Sequence, residues 1–242
     1  MRAPWQLIVV TLLIVVAFVF IALNLTSGGG GGGQLTFPID GRKTAVIHID
    51  SGADSIVVGT AELGDDLAVV TTPGGEDGGV RPQARLDGDQ LRVSTEDIGD
   101  AKAGSPVQIN VRLAAGVRWD VVVDKGAKQV LLALGSGEVN LVELRGGADL
   151  ADVTLPKPVG EMAIRVSTGL GTAALHVPAN IPVKATFGSG AGRAVVDGAP
   201  QQGIASGTTI YGANGDAGYL AAKDRYLVDV LAGVGTLSLD RT

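Results

Sequence analysis

Met162 to Asp197 reads MAIRVSTGLGTAALHVPANIPVKATFGSGAGRAVVD, and its punctuation decides the fold. One phrase occurs twice. An alternating apolar run leads into Gly-x-Gly, and a second apolar run leads away from it. Gly169-Leu170-Gly171 is followed by Thr172-Ala173-Ala174-Leu175, and Gly190-Ala191-Gly192 by Arg193-Ala194-Val195-Val196. The phrase returns as Gly233-Val234-Gly235-Thr236-Leu237-Ser238-Leu239.

Working outward, Gly126, Gly147, Gly169, Gly190, Gly212 and Gly233 follow one another at intervals of 21 or 22 residues. A second phrase keeps the same register without using these glycines. Leu113-Ala-Ala-Gly-Val117-Arg-Trp119-Asp-Val121 aligns with Val177-Pro-Ala-Asn-Ile181-Pro-Val183-Lys-Ala185 at an offset of 64 residues, three such periods. Periods of this size mark stacked supersecondary units that cannot bury their apolar faces alone. Each unit holds two or three short strands. Alternation places Ile164, Val166, Leu175, Val177, Val183, Phe187, Val228, Val230, Leu237 and Leu239 inward. The expected architecture is all-β, either β-solenoid-like or a two-sheet β-repeat domain, with about 21–22 residues per repeat.

Before the repeats, Ala45–Asp50 alternates with Ile47 and Ile49 on one side and His48 and Asp50 on the other. Asp87-Gly88-Asp89 between two short apolar runs signals a hairpin. Val107, Ile109, Val111 and Leu113 alternate with polar residues. Past residue 26 no segment has an amphipathic helical pattern. Asp216–Arg225 comes nearest, but it carries Gly218 and lacks an apolar stripe.

Leu7 to Leu25 is apolar apart from Thr11 and Asn24. Nineteen helical residues would span about 28 Å, close to the ~30 Å hydrocarbon core. Trp5 stands at one edge of this run. A cleaved signal peptide is the competing reading, but the run is longer than a typical h-region and no Ala-x-Ala site follows. Arg2 and the terminal amine favour a cytoplasmic N-terminus. Gly28–Gly33 then forms a flexible tether. The expected division is a cytoplasmic stub at 1–6, a transmembrane helix at 7–25 and a glycine-rich linker at 26–36. An irregular β region follows at 37–112 and a β-repeat region at 113–242, with 37–242 alternatively one domain. The expected location is the cell membrane, crossed once, with the C-terminal domain extracytoplasmic.

The formal net charge is −6, and Arg2 is the only charged side chain before Asp40. The rest carries 18 basic and 25 acidic residues with no basic run, a poor match to nucleic acid. The absence of cysteine excludes disulfides and thiolate zinc sites.

Val177-Pro178-Ala179-Asn180-Ile181-Pro182-Val183, the recurring Gly-x-Gly strands and the single N-terminal span resemble the bacterial putative-adhesin domain. That β-repeat family also occurs at the extracytoplasmic ends of LiaF- and LiaG-type envelope-stress proteins, where it is called a toastrack domain. The resemblance covers roughly Trp119–Leu239, and one span is nearer the LiaG arrangement. It implies an all-β, membrane-tethered, non-catalytic domain linked to adhesion or envelope stress signalling, and it supplies no catalytic residues to carry over.

Other motifs are weaker. Gly169-Leu170-Gly171-Thr172-Ala173-Ala174 fits the dinucleotide pattern, yet strand-forming residues follow where that fingerprint needs a helix. His48 and His176 read as exposed strand histidines, since metal or base chemistry would need partners that only folding could supply. Acidic groups at Glu62/Asp65/Asp66, Glu76/Asp77, Asp87/Asp89 and Glu96/Asp97/Asp100 sit beside glycines in expected turns. Ser51, Ser167, Ser189 and Ser206 border glycine-rich turns outside any nucleophile motif. The sequence therefore offers no catalytic, cofactor-binding or metal-binding residues. It points to a tethered domain that contacts an envelope protein or wall polymer. The alternatives are a self-assembling β-scaffold using open strand edges and a carbohydrate-active enzyme using two carboxylates.

Overall fold

A computed structural model of the chain describes residues 33–74, 77–99, 102, 104–212 and 214–242. The transmembrane span expected at 7–25 and the linker up to residue 32 lie outside the described residues. Among the described residues no helix is long and apolar enough to cross a membrane. Gly32–Thr242 forms one compact unit.

The first described element is β1 (Gln34–Pro38), so Gln34 to Thr36 begin a strand and do not belong to the linker. It continues through β2 (Thr44–Ile49), β3 (Ala53–Ala61), β4 (Asp66–Thr71), β5 (Val80–Asp87), β6 (Gln90–Asp97) and β7 (Gln108–Ala114). The repeat strands are β8 (Arg118–Val123), β9 (Ala127–Ala133), β10 (Glu138–Leu144), β11 (Ala148–Thr154), β12 (Glu161–Val166) and β13 (Leu170–Val177). Then come β14 (Val183–Phe187), β15 (Ala191–Val196), β16 (Ala199–Ile204), β17 (Thr208–Tyr211), the helix α1 (Gly215–Ala221), β18 (Arg225–Val230) and β19 (Val234–Arg241).

These strands make two open sheets. The first runs β1-β4-β7-β3-β9-β11-β13-β19-β15-β16, and the second β17-β14-β18-β12-β10-β8-β2-β6-β5. One coil is a strand of the second sheet, a glycine corner and a strand of the first: β8–β9, β10–β11, β12–β13 and so on. Neighbouring coils pair in parallel. Val121, Val142, Ile164, Val228 and Ala185 form one inward row across the second sheet. Val121 and Ala185 therefore share a row, as the 64-residue offset requires.

Alternation fills the space between the sheets. All ten side chains expected to point inward are at most 2% exposed. Trp119, Tyr226 and Phe187 are the largest fully buried side chains. Their polar ends are matched where present: Trp119 Nε1 donates to the Ala114 carbonyl at 3.0 Å, and the Tyr226 hydroxyl donates to that of Pro156.

The coils do not stack in chain order. β18–β19, the last coil, lies between β12–β13 and β14–β15. The chain places coil β14–β15 outermost, leaves it through β16, β17 and α1, and returns to fill the gap. Gly212 consequently opens no coil. It lies between β17 and α1, where an added Cβ would meet the side chains of Asp197 and Arg241.

Helix α1 departs from the expectation of no helix past residue 26, and its support is local. Only Tyr219 is buried in it. That ring packs edge-on against Tyr211 with centroids 5.9 Å apart, and the Arg225 guanidinium lies 4.9 Å from its centroid. One anchored aromatic replaces the apolar stripe of a longer helix.

The Gly-x-Gly phrase has a steric cause. A methyl group at Gly235 would stand 2.5 Å from the Gly171 carbonyl oxygen, and one at Gly171 would stand 2.6 Å from that of Asp149. The second glycine of the phrase lets one coil's backbone close against the next. The segment after Gly169 is strand β13, so no helix N-terminus exists there to hold a pyrophosphate.

Two of the four sheet edges carry proline in a telling place. β5 pairs antiparallel with β6, and β16 with β15, each through a two-residue turn. In such hairpins alternate pairs turn their backbone groups outward. Counting from the turns puts Pro82 and Pro200 at outward positions; Pro200 is exposed and removes an N–H that a further strand would need, whereas Pro82 is buried with its ring beside Gly33. The other edges, β1 and β17, are only five and four residues long.

Candidate functional site

The two outer faces differ in chemistry. On the first sheet the central rows are built mainly from small or uncharged residues, such as Ser55, Gln129, Leu150, Thr172 and Thr236 in one row. On the second sheet the rows are charged. Arg92, His48, Val122, Glu143, Arg165 and Asp229 stand at matching register on six adjacent strands.

A connected network occupies the middle of that charged face. His48 Nδ1 lies 2.7 Å from Asp124 Oδ2. Arg145 spans two carboxylates, donating to Asp124 Oδ1 at 2.9 Å and to Glu143 Oε2 at 2.9 Å. Glu143 is only 7% exposed. It also accepts from the Ser167 hydroxyl at 3.4 Å and has Arg165 at 4.0 Å. Arg92 donates to Asp50 Oδ2 at 3.0 Å. Burial works to raise the Asp124 carboxyl, but hydrogen bonds from His48 and Arg145 outweigh it and hold the group below the ordinary carboxylate value. Arg145 is held above its ordinary value, first by its bond to Glu143 and then by Asp124.

His48 is therefore not the exposed strand histidine expected. Its side chain is 13% exposed and bonded to a residue 76 positions away. His176 departs further from that expectation. It is 7% exposed on the outer face of the first sheet, with Nε2 at 3.3 Å from Asp152 Oδ1. That spacing suits an ion pair with the protonated ring, but the alignment does not make a hydrogen bond. The Asp152 contact is the main cause raising the His176 pKa. Burial opposes it, and Asp240 adds to it.

Two of the acidic groups meet at the open end of the β5–β6 hairpin, where the Ile98 amide bonds to the Gly79 carbonyl and the Lys102 amide to that of Asp77. Glu96 pairs with Arg81 across the β5–β6 hairpin, Asp77 pairs with Lys102, Asp87 precedes the turn of that hairpin and Asp89 lies in it. Glu76 and Asp100 lie outside the described residues. The four serines serve corners. Ser51 Oγ accepts from the Thr95 amide at 3.0 Å, Ser167 donates to Glu143, Ser189 donates to the Leu231 carbonyl at 2.8 Å, and Ser206 donates to that of Gly188.

Sequence reasoning missed Asp124, Glu143 and Arg145, although a signal was present. Asp124, Arg145 and Ser167 are spaced by 21 and 22 residues, the repeat period. Reading outward positions in the same register as inward ones would have aligned them on neighbouring coils.

No protein-family model matches the chain, and neither does any curated protein sequence. Among solved structures, the chain is similar to a putative cell adhesion protein from Clostridium sporogenes. The two share 15% identity with a TM-score of 0.59, over 87% of this chain and 98% of that one. At this identity the likeness is one of fold. A putative adhesin from Bacteroides fragilis aligns at 12% identity over 86% of this chain and 98% of that one. Its TM-score of 0.26 is too low to carry an argument.

Proposed function

We propose that this chain is a membrane-tethered, non-catalytic β domain outside the cytoplasm. It binds an envelope protein or a wall polymer through its exposed sheet faces, as an adhesin or as an envelope-stress accessory. The observation that carries the reading is the charged face of the second sheet, where cross-strand pairs fix arginine and carboxylate side chains in register on a face that no described element covers. Fixed charges on a rigid sheet favour specificity and encounter rate. The fold likeness to a cell adhesion protein supports the same reading, as does the apolar run at 7–25 followed by glycines. Asp50, Asp124 and Glu143, the carboxylates gathered on the second sheet, are each hydrogen-bonded to an arginine, which speaks against the free acid and base pair of a glycosidase. Pro200, exposed on its edge strand without an N–H, speaks against growth by edge pairing.

The full-length protein, kept in its membrane, tests this. Protease added to intact cells is expected to remove the region after residue 33 while the membrane fraction retains the N-terminus. Detergent-solubilised protein is expected to retain an envelope protein or wall polymer, and Arg145→Glu with Arg165→Glu is expected to release it. Protection of the domain in intact cells, or equal retention by the double variant, contradicts the proposal.

A further inference from the structure

We propose that His48, Asp50 and Asp124 form a binding site for a first-row divalent cation on the outer face of the second sheet. One imidazole nitrogen and one oxygen from each carboxylate lie within 4.8 Å of one another. His48 and Asp50 stand two residues apart and so project from the same side of the chain. Asp124 follows β8, the parallel neighbour of β2, and its amide bonds to the Ile49 carbonyl at 3.0 Å. The three side chains are 13%, 32% and 20% exposed. The site is thus sheltered by the sheet on one side and open to water on the other.

The spacing suits coordination. Metal–ligand bonds of about 2.0–2.2 Å put neighbouring ligand atoms roughly 3 Å apart. His48 Nδ1 and Asp124 Oδ2 are 2.7 Å apart, so a small opening seats an ion between them. Binding at Nδ1 requires the ring proton on Nε2, which for a neutral ring is a change of tautomer without net proton release.

Groups outside the three ligands orient them. Arg145 takes Oδ1 of Asp124 and leaves Oδ2 toward the site, and buried Glu143 holds Arg145 in turn. Arg92 anchors Asp50. Outer partners of this kind fix ligand geometry. The two guanidinium groups also repel a dication, so affinity is expected in the micromolar range and not that of a closed structural zinc site. An imidazole with two carboxylates suits zinc or manganese. Calcium prefers six to eight oxygens and is expected to bind far more weakly. The imidazole also separates this cluster from the exposed acidic turns. The inference is independent of the tethering and binding roles proposed above.

Metal-free full-length protein titrated with Zn2+, and separately with Ca2+, by isothermal titration calorimetry provides the test. One Zn2+ per chain is expected, weakened about tenfold or more in Asp50→Asn and in His48→Gln. Circular dichroism establishes that each variant is folded. A second reading uses the wild type alone, which has two histidines. Zn2+ is expected to shift the ring resonances of His48 and leave those of His176 in place. Absence of Zn2+ binding, binding unchanged in both folded variants, a shift at His176 instead, or tighter binding of Ca2+ would each overturn the proposal.

Discussion

Gly235 and Gly233 stand two positions apart in one phrase, yet substitution should separate them. A methyl group at Gly235 would press on the neighbouring coil's carbonyl, whereas one at Gly233 meets nothing within 4 Å. Gly235→Ala is expected to cost about 1–3 kcal/mol, as overpacking does. Gly233→Ala is expected to be neutral or stabilising by up to about 1 kcal/mol, since φ at Gly233 is not positive. Urea denaturation midpoints of both variants measure the difference. His176 carries a pH prediction. Its folded-state pKa is raised by Asp152, so the ion pair contributes fully below the unfolded value of about 6.5. The contribution disappears as pH rises through the folded value. The thermal midpoint of the wild type is therefore expected to lose a component on going upward from about pH 6.5, and Asp152→Asn is expected to lack that component.

Strand and corner elements were the most legible part of the chain. Alternation located the inward positions because a strand with one buried face cannot shift register without exposing its apolar set. The glycine series located the corners, because close backbone approach excludes side chains there. Helix α1 was illegible for the opposite reason: a seven-residue helix held by Tyr219 leaves no periodic trace. The candidate site was half legible. His48 and Asp50 shared a face in the sequence, while Asp124 reached them only through parallel pairing. Pro200 shields the β16 edge, and Pro200→Val restores an outward N–H group there. The variant is expected to show concentration-dependent association in sedimentation velocity under conditions where the wild type shows none. Equal behaviour of the two would assign edge protection to strand length instead.

At the scale of the whole molecule, the period proved more local than it looked. It sets the rows through β15, then breaks where β16, β17 and α1 replace one expected coil and the last coil returns inside the stack. Composition and spacing carry no mark of that return, because β18–β19 makes the same kind of parallel contact at either place. The consequence is physical: Tyr226, Val228, Val230, Leu237 and Leu239, all fully buried, belong to the last coil of the chain yet lie inside the stack. The charged row of the second sheet also depends on it, since Asp229 comes to neighbour Arg165 only through this insertion. Coil order is directly measurable in a chain without cysteine. Ala174 pairs with Ser238, and Ser238 with Val195, across the first sheet. Adjacent strands are about 4.8 Å apart, within disulfide range, whereas strands two apart are roughly 9.6 Å apart and beyond it. Under mild oxidation, Ala174→Cys with Ser238→Cys is expected to form an intramolecular disulfide, and Ala174→Cys with Val195→Cys is not. The reverse result, a bond between positions 174 and 195 alone, would mean that the coils stack in chain order and would contradict the inserted last coil.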